Sequence, residues 1–147
     1  MAANAKETQA QANNDLAVQQ IAEVVKAAQA GDFSIRIDLD DIDGSMLEVC
    51  QGLNSLMETS ETGLNEVVRM LKAIASGDLS QTIENHYEGV FGQLKDDSNT
   101  TVKQLRLAVD DINMIVDAAN IGQFDKRIEV DKYDGFYKDL GNSLNAL

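Results

Sequence analysis

The sequence predicts an all-α fold in which one helical unit occurs three times. Its 147 residues contain no proline, and 44% are hydrophobic although only 5% are aromatic. A proline-free chain rich in Ala, Leu, Gln, Glu and Lys favours long helices, because these side chains lose little rotamer freedom in a helix. Apolar residues also follow the 3-4-3 spacing of a heptad repeat. The same pattern returns three times, which indicates a repeat protein.

The repeat is clearest in a stretch bounded by two glycines. It reads "GDFSIRIDLDDIDG", then "GDLSQTIENHYEG", then "GQFDKRIEVDKYDG", with a period of 46 and then 45 residues. In each copy an apolar residue stands two positions after the first glycine and another four positions later, an acidic residue precedes the second glycine, and an asparagine follows it by ten positions. The first glycines are Gly31, Gly77 and Gly122, the second glycines Gly44, Gly89 and Gly135, the apolar anchors Phe33, Ile37, Leu79, Ile83, Phe124 and Ile128, and the asparagines Asn54, Asn99 and Asn145.

Both segments that flank each stretch carry a narrow apolar seam. Before the first glycine the seam residues are Val18, Ile21, Val25 and Ala28, then Leu64, Val67, Leu71 and Ile74, then Val109, Ile112, Val116 and Ala119. After the second glycine they are Met46, Val49, Leu53 and Leu56, then Phe91, Leu94, Ser98 and Thr101, then Tyr137, Leu140, Leu144 and Leu147. Two positions per seven form a coiled-coil seam rather than the wider stripe of a helix on a globular core. One unit of a single chain cannot bury such seams, so partner helices are required.

Each unit therefore reads as helix, connector, helix. The first glycine suits a left-handed helix end, and the acidic residue before the second glycine suits a helix start, where a carboxylate meets free amides. A connector of about a dozen residues is too long for a tight turn, so the second helix can run parallel to the first. Its two apolar anchors are expected to lie against the helices that it joins.

No helix breaker separates one unit from the next. One helix is predicted from about Gly44 to Ser76, with Gly63 as a mild weakness. The seam changes phase at each junction between units, because Leu53 and Leu64 are 11 residues apart, as are Ser98 and Val109. Each junction thus holds a four-residue stutter that locally unwinds a supercoil.

These units resemble the HAMP domain, the relay module of chemoreceptors and sensor kinases. The resemblance covers residues 16–147 as three copies, and "GDLSQTIENHYEGVFGQLKDDSNTTVKQL" looks like the HAMP segment of methyl-accepting chemotaxis proteins. The sequence departs from the family pattern in having Asp43-Gly44, Glu88-Gly89 and Asp134-Gly135 where the family has Asp-Glu-x-Gly. Gly92 stands in the expected glycine position in the second copy alone, and the common proline is missing.

The resemblance implies a parallel homodimer in which each unit forms a four-helix bundle, and a role in passing a signal between a sensor and an output domain of the same longer chain. We expect a polar N-terminal linker over 1–15 and HAMP units over 16–62, 63–108 and 109–147. A cytoplasmic location is expected, in a soluble receptor or in a membrane-attached one. The formal charge of −13 disfavours nucleic acid and anionic lipid as partners, and no apolar run reaches the roughly 20 residues of a membrane span.

The second unit is predicted to be the softest bundle. Its second helix places Ser98 and Thr101 at seam positions where the first unit has Leu53 and Leu56. A leucine there would bury apolar area worth about 25 cal/mol per Å². This unit should therefore change its packing most readily.

Residues that could carry chemistry favour ordinary structural roles. A calcium loop that starts at Asp38 fails, because Ile42, Asp43 and Val49 occupy positions that need an oxygen ligand, glycine and glutamate. His86 is expected to be an exposed connector residue rather than a pH sensor, and Cys50 a buried or half-buried thiol rather than a redox switch. We expect no catalytic residue, cofactor site or metal site, because one histidine and one cysteine do not make a set of nucleophile, base and orienting residue, and the sequence has no glycine-rich phosphate loop or metal-ligand cluster.

Two other classes of protein stay open at this point. A static coiled-coil spacer would contain the same helices but would not need three connectors. A monomeric helical bundle that binds a partner would also account for the composition. The mass in solution and cysteine crosslinks along the seam discriminate these alternatives.

Overall fold

A computed structural model describes residues 2–146, which form α-helices, one short 3₁₀ helix and no strand. Helix α1 spans Ala2–Gln29, α2 spans Gly44–Ala75, α3 spans Gly89–Asn120 and α4 spans Gly135–Asn145. The 3₁₀ helix, Val130–Lys132, lies in the third connector. The predicted all-α class is confirmed. The chain divides into two compact parts, Met1–Glu66 and Val67–Leu147.

The helical content follows from the composition of each segment. Helices α2 and α3 each contain 32 residues and run without a break through the junctions between repeat copies. Residues 2–15, which lie in the segment that the sequence suggests is a linker, form the first half of α1. Alanine and glutamine in this segment lose little entropy in a helix, so it extends without apolar periodicity. Met1 and the seam residue Leu147 lie outside the described residues.

The first three helices end in the same backbone motif. The N–H of Gly31 donates to the Ala28 carbonyl at 2.9 Å, and the N–H of Asp32 donates to the Ala27 carbonyl at 2.9 Å. This pair of bonds is the Schellman motif, which needs a left-handed residue at the glycine, and φ of Gly31 is +82°. Gly77 and Gly122 repeat it with φ values of +82° and +78°.

The helix starts differ from the sequence-based expectation. Glu88 and Asp134 are N-cap residues, but neither side chain makes a capping hydrogen bond. The glycine after each cap has a left-handed φ, +59° at Gly89 and +53° at Gly135, so the chain enters the helix in an unusual direction. We attribute the missing bond to this direction. Of the expected role of these acidic residues, only the attraction between a carboxylate and the positive end of the helix dipole remains.

Each part of the chain has its own core, in which a connector packs on the two helices that it joins. In the first part Ala17, Val24, Ile37, Cys50 and Met57 are buried together. In the second part Met70, Ile83 and Val102 form the corresponding cluster, with Leu79 packed against it. Among the helices of residues 2–146, none has the length and apolar character needed to cross a membrane.

Candidate functional site

An asparagine of the second helix clamps the middle of each connector. The Oδ1 atom of Asn54 accepts the N–H of Ile37 at 2.8 Å, and its Nδ2 atom donates to the Ile37 carbonyl at 2.9 Å. Asn99 makes the same pair with Ile83, at 2.9 and 3.0 Å. Asn145 does so with Ile128, at 2.6 and 2.9 Å. The three connectors thus share one attachment point.

The clamped isoleucine is also deeply buried in each connector. Ile37, Ile83 and Ile128 are each 5% exposed or less. A buried backbone N–H or carbonyl without a partner is costly, and in these extended segments the asparagine supplies both partners. The clamp therefore supplies hydrogen-bond partners to the backbone of a residue whose side chain is buried in the core.

The first two connectors begin with the same local turn. Asp32 Oδ1 accepts from the Ser34 N–H at 3.0 Å and from its hydroxyl at 2.6 Å, and Asp78 accepts from Ser80 at 2.9 and 2.6 Å. The Ser34 side-chain hydrogen bond is the main cause that lowers the pKa of Asp32, and Ser80 does the same for the pKa of Asp78. This turn directs Phe33 and Leu79 toward the core, where both are partly buried.

The third connector departs from this arrangement. Gln123 replaces the aspartate, so the Asp-Ser turn cannot form there. Phe124, which the repeat predicts to be an apolar anchor against the helices, is 75% exposed. The expectation for Phe124 is therefore not met in the single chain, whereas Ile128 of the same connector is buried.

Contacts near its other end hold the third connector instead. Tyr133 is 3% exposed, and its hydroxyl donates to Asp111 Oδ2 at 2.8 Å, while Lys132 Nζ lies 3.0 Å from the same carboxylate. Burial, followed by the bond to Asp111 and the charges of Asp111 and Asp110, raises the pKa of Tyr133 to about 12. A Cβ on Gly141 would come within 2.8 Å of Val130 Cγ1, so glycine allows the 3₁₀ segment to pack on α4.

The predicted seams are buried on one side and exposed on the other. In α1 and α2 every second seam position is exposed in the single chain, and two seam positions of the second half of α3 are exposed in the same way: Val18, Val25, Val49, Leu56, Leu64, Leu71, Val109 and Val116. The positions between them are partly buried: Ile21, Ala28, Met46, Leu53, Val67, Ile74 and Ile112. At the start of α3 and in α4 the seam does not alternate, because consecutive positions are partly buried: Phe91, Leu94 and Ser98, then Tyr137, Leu140 and Leu144. Thr101 and Ala119 are exposed as well. The exposed positions recur every seven residues within each seam segment, as at Val49 and Leu56 or at Leu64 and Leu71, so within a segment they lie on one face of the helix.

The remaining candidates occupy unremarkable positions. Cys50 is a buried free thiol, and His86 is exposed in the second connector. Across residues 2–146 no three His, Cys, Asp or Glu side chains are grouped so that they could hold a metal ion.

Sequence reasoning missed several polar contacts. The repeated asparagine was visible in the sequence, at 16 or 17 residues after the clamped isoleucine, but its hydrogen bonds were not. It also missed Gln20, whose Oε1 accepts the Asp38 N–H at 2.7 Å, and Asp111, which occupies the same repeat position. A recurring polar residue beside a seam is the signal that could have identified these contacts.

Comparison with known proteins matches part of the chain to a known domain and most of it to a known protein. No solved structure matches the chain. The chain is 45% identical over 104 residues to the methyl-accepting chemotaxis protein McpB of Pseudomonas aeruginosa, which covers 71% of this chain and 15% of that relative. The chain thus spans a small part of the relative's length. The family match takes in α2, the second connector and α3 as far as Leu107: residues 41–107 match the HAMP domain.

Proposed function

We propose that this chain is an intramolecular signal relay, three HAMP units in series, between a sensor and an output domain of a bacterial chemoreceptor or sensor kinase. The HAMP match over 41–107 and the chemotaxis protein relative support signal transduction. The three clamps, Asn54 to Ile37, Asn99 to Ile83 and Asn145 to Ile128, support three equivalent units. We propose a cytoplasmic location for this segment of the receptor.

The observation that carries the proposal is the exposed half of the seam. Val49 is 56% exposed and Leu56 is 58% exposed, although both follow the heptad spacing of the partly buried Met46 and Leu53. In α1 and α2 one seam position of each pair is partly buried within the chain, and a second chain is needed to bury the other. We therefore propose a parallel homodimer in which each unit is a four-helix bundle.

The clamps give such a bundle a means of switching. A net contribution of about 1 kcal/mol for each hydrogen bond makes a two-bond clamp worth about 2 kcal/mol. Conformational equilibria that ligands shift are separated by a few kcal/mol, which is the same range. A change of helix packing that opens or strains one clamp can therefore bias the unit between two packings, and the continuous helices α2 and α3 carry the change onward.

The first experiment measures the dimer and its register. In a Cys50→Ser background, single cysteines at Val25, Leu71 or Val116 should form disulfide-linked dimers under mild oxidation, and light scattering should give twice the chain mass of 16.0 kDa. Cysteine in place of Glu23, an exposed residue of α1 outside the seam, is the matched control and should crosslink much less. A monomeric mass at micromolar concentration, or equal crosslinking at Glu23 and Val25, would remove the proposal.

A static spacer is the competing function. It would share the seam and the continuous helices, but it gives no reason for three connectors with the same clamp. In a longer protein that carries the sensor, crosslinking rates at Val25 and Val116 should change together when the stimulus is added. Rates that are unaffected by the stimulus at both positions would favour the spacer.

A further inference from the structure

In every connector an arginine binds the backbone carbonyl of the first apolar anchor. Arg36 Nη1 donates to the Phe33 carbonyl at 2.5 Å, and Arg127 Nη1 donates to the Phe124 carbonyl at 2.8 Å. These two arginines occupy the same repeat position, directly before the clamped isoleucine. In the second connector that position is Thr82, whose hydroxyl donates to Glu84 Oε1 instead.

The second copy obtains its arginine from the helix instead. Arg106 of α3 donates from Nε to the Leu79 carbonyl at 3.1 Å and makes a second bond to the same oxygen from Nη2. Arg106 stands seven residues after the clamp asparagine Asn99. Seven residues are two helical turns, so both side chains face the same connector.

The corresponding helix residue of the first copy has the opposite charge. Glu61 stands seven residues after Asn54, and its Oε2 lies 2.7 Å from Arg36 Nη2. Arg36 therefore bridges from its own connector, where it also binds the Ile35 carbonyl at 2.9 Å, to the helix. The first two copies thus link the same connector carbonyl to the same helix position. The arginine belongs to the connector in the first copy and to the helix in the second.

We propose that an arginine tie, formed by Arg36 with Glu61 in the first copy and by Arg106 in the second, positions each of these connectors on its helix. The arginine can be moved between the connector position and the helix position if the residue at the other position is changed with it. Glu61 lies between Leu56 and Leu64, and Arg106 lies between Thr101 and Val109, so each tie attaches a connector to the helix where one seam ends and the next begins. Its use in signalling rests on the proposed relay, whereas the exchange concerns the chain alone.

Hydrogen exchange with substitutions that convert the first copy to the second type tests the tie. We expect Arg36→Thr and Glu61→Arg, each alone, to speed amide exchange in residues 32–42 by roughly fivefold, since exposed charged contacts contribute modestly. Arg36→Thr combined with Glu61→Arg should restore exchange to nearly the rate of the parent chain. In the second copy, Thr82→Arg combined with Arg106→Glu should likewise keep amide exchange in residues 78–87 near the rate of the parent chain, whereas either change alone should speed it.

A matched control separates this geometry from a general charge effect. Glu58 is exposed on α2 one turn before Glu61, so Glu58→Arg should not rescue Arg36→Thr. Rescue by Glu58→Arg, or a double variant at Arg36 and Glu61 that exchanges as fast as the worse single variant, would overturn the tie. If Glu61→Arg prevents folding, Glu61→Gln keeps the shape, removes the charge, and should still speed exchange.

The same samples keep the two proposals apart. Light scattering of each variant reports whether the chain is a dimer, and exchange reports whether the connector is held. A monomer whose double variant is rescued would refute the proposed bundle and leave the tie intact. A dimer without rescue would refute the tie and leave the relay intact.

Discussion

The side-chain amide of Asn99 makes two hydrogen bonds with the backbone of Ile83, one to its N–H and one to its carbonyl, as a neighbouring strand would in a β-sheet. The amide of Asn99 offers one donor and one acceptor, and the backbone of Ile83 uses both, at 3.0 and 2.9 Å. Because Ile83 is 2% exposed, water cannot easily replace these bonds. The asparagine is therefore a structural requirement of an extended connector that must cross a helix surface.

Removing the clamp should destabilise the chain substantially. Asn99→Ala leaves the Ile83 N–H and carbonyl without partners, so we expect the free energy of unfolding to fall by about 2–3 kcal/mol. Urea denaturation followed by circular dichroism measures this loss. Asn113→Ala is the control, because Asn113 is exposed on the same helix, and it should change stability by less than about 0.5 kcal/mol. Equal effects of the two substitutions would show that the clamp does not hold the connector.

Two glycines should respond to alanine with opposite signs. Gly77 has φ of +82°, so Gly77→Ala forces a Cβ into the left-handed region and should cost about 1–2 kcal/mol, although nothing lies within 4 Å of the added atom. Gly52 lies inside α2 with open space around it, so Gly52→Ala should stabilise by up to about 1 kcal/mol. Thermal unfolding of the two variants checks the prediction, and a stabilising Gly77→Ala would contradict the Schellman assignment.

The sequence allowed prediction of those features that depend on local backbone chemistry. Helix α2 was expected from about Gly44 to Ser76 and is observed over Gly44–Ala75, because heptad periodicity and a left-handed glycine are both readable from neighbouring residues. The all-helical class follows from the same signals. The helical start of α1 was missed because a polar segment rich in alanine has helix propensity without periodicity.

Contacts between elements that are distant in sequence could not be predicted in the same way. Arg106 binds the carbonyl of Leu79, which lies 27 residues away in the sequence. Its counterpart Arg36 belongs to the connector and not to the helix, so an alignment of the copies does not place the two arginines at one position. The exposure of Phe124 likewise depends on a lost Asp-Ser turn, since Gln123 replaces the aspartate, and not on its own residue type. Such features require the side chains to be placed in three dimensions.

Alkaline pH should loosen the third connector through Tyr133. Burial and the bond to Asp111 raise the pKa of Tyr133 from 10.0 to about 12, so the folded chain disfavours the phenolate. The stabilisation is fully present below pH 10 and is lost as the pH rises from 10 toward 12. Phenolate absorbance should lose its highest-pH step in Tyr133→Phe, and the stability of that variant should vary less over this range.

Tyr137→Phe is the control for this titration, because it removes another tyrosine of the same part of the chain and leaves the hydroxyl bonded to Asp111 in place. It should leave the highest-pH step intact. If Tyr133→Phe instead removes a step near pH 10, the hydroxyl does not have the buried, hydrogen-bonded environment described above.

Leucines at the polar seam positions of the second unit should stabilise the proposed dimer. Ser98 is partly buried and Thr101 is exposed in the single chain, so a gain at both positions depends on partner helices. We expect Ser98→Leu with Thr101→Leu to raise the melting temperature by several degrees, since about 1 kcal/mol corresponds to roughly 2–8 °C for chains of this size. The same pair should lock signalling in an intact receptor. Thr100→Leu, an exposed neighbour outside the seam, is the control, and an unchanged melting temperature of the double variant would exclude these positions from the bundle core.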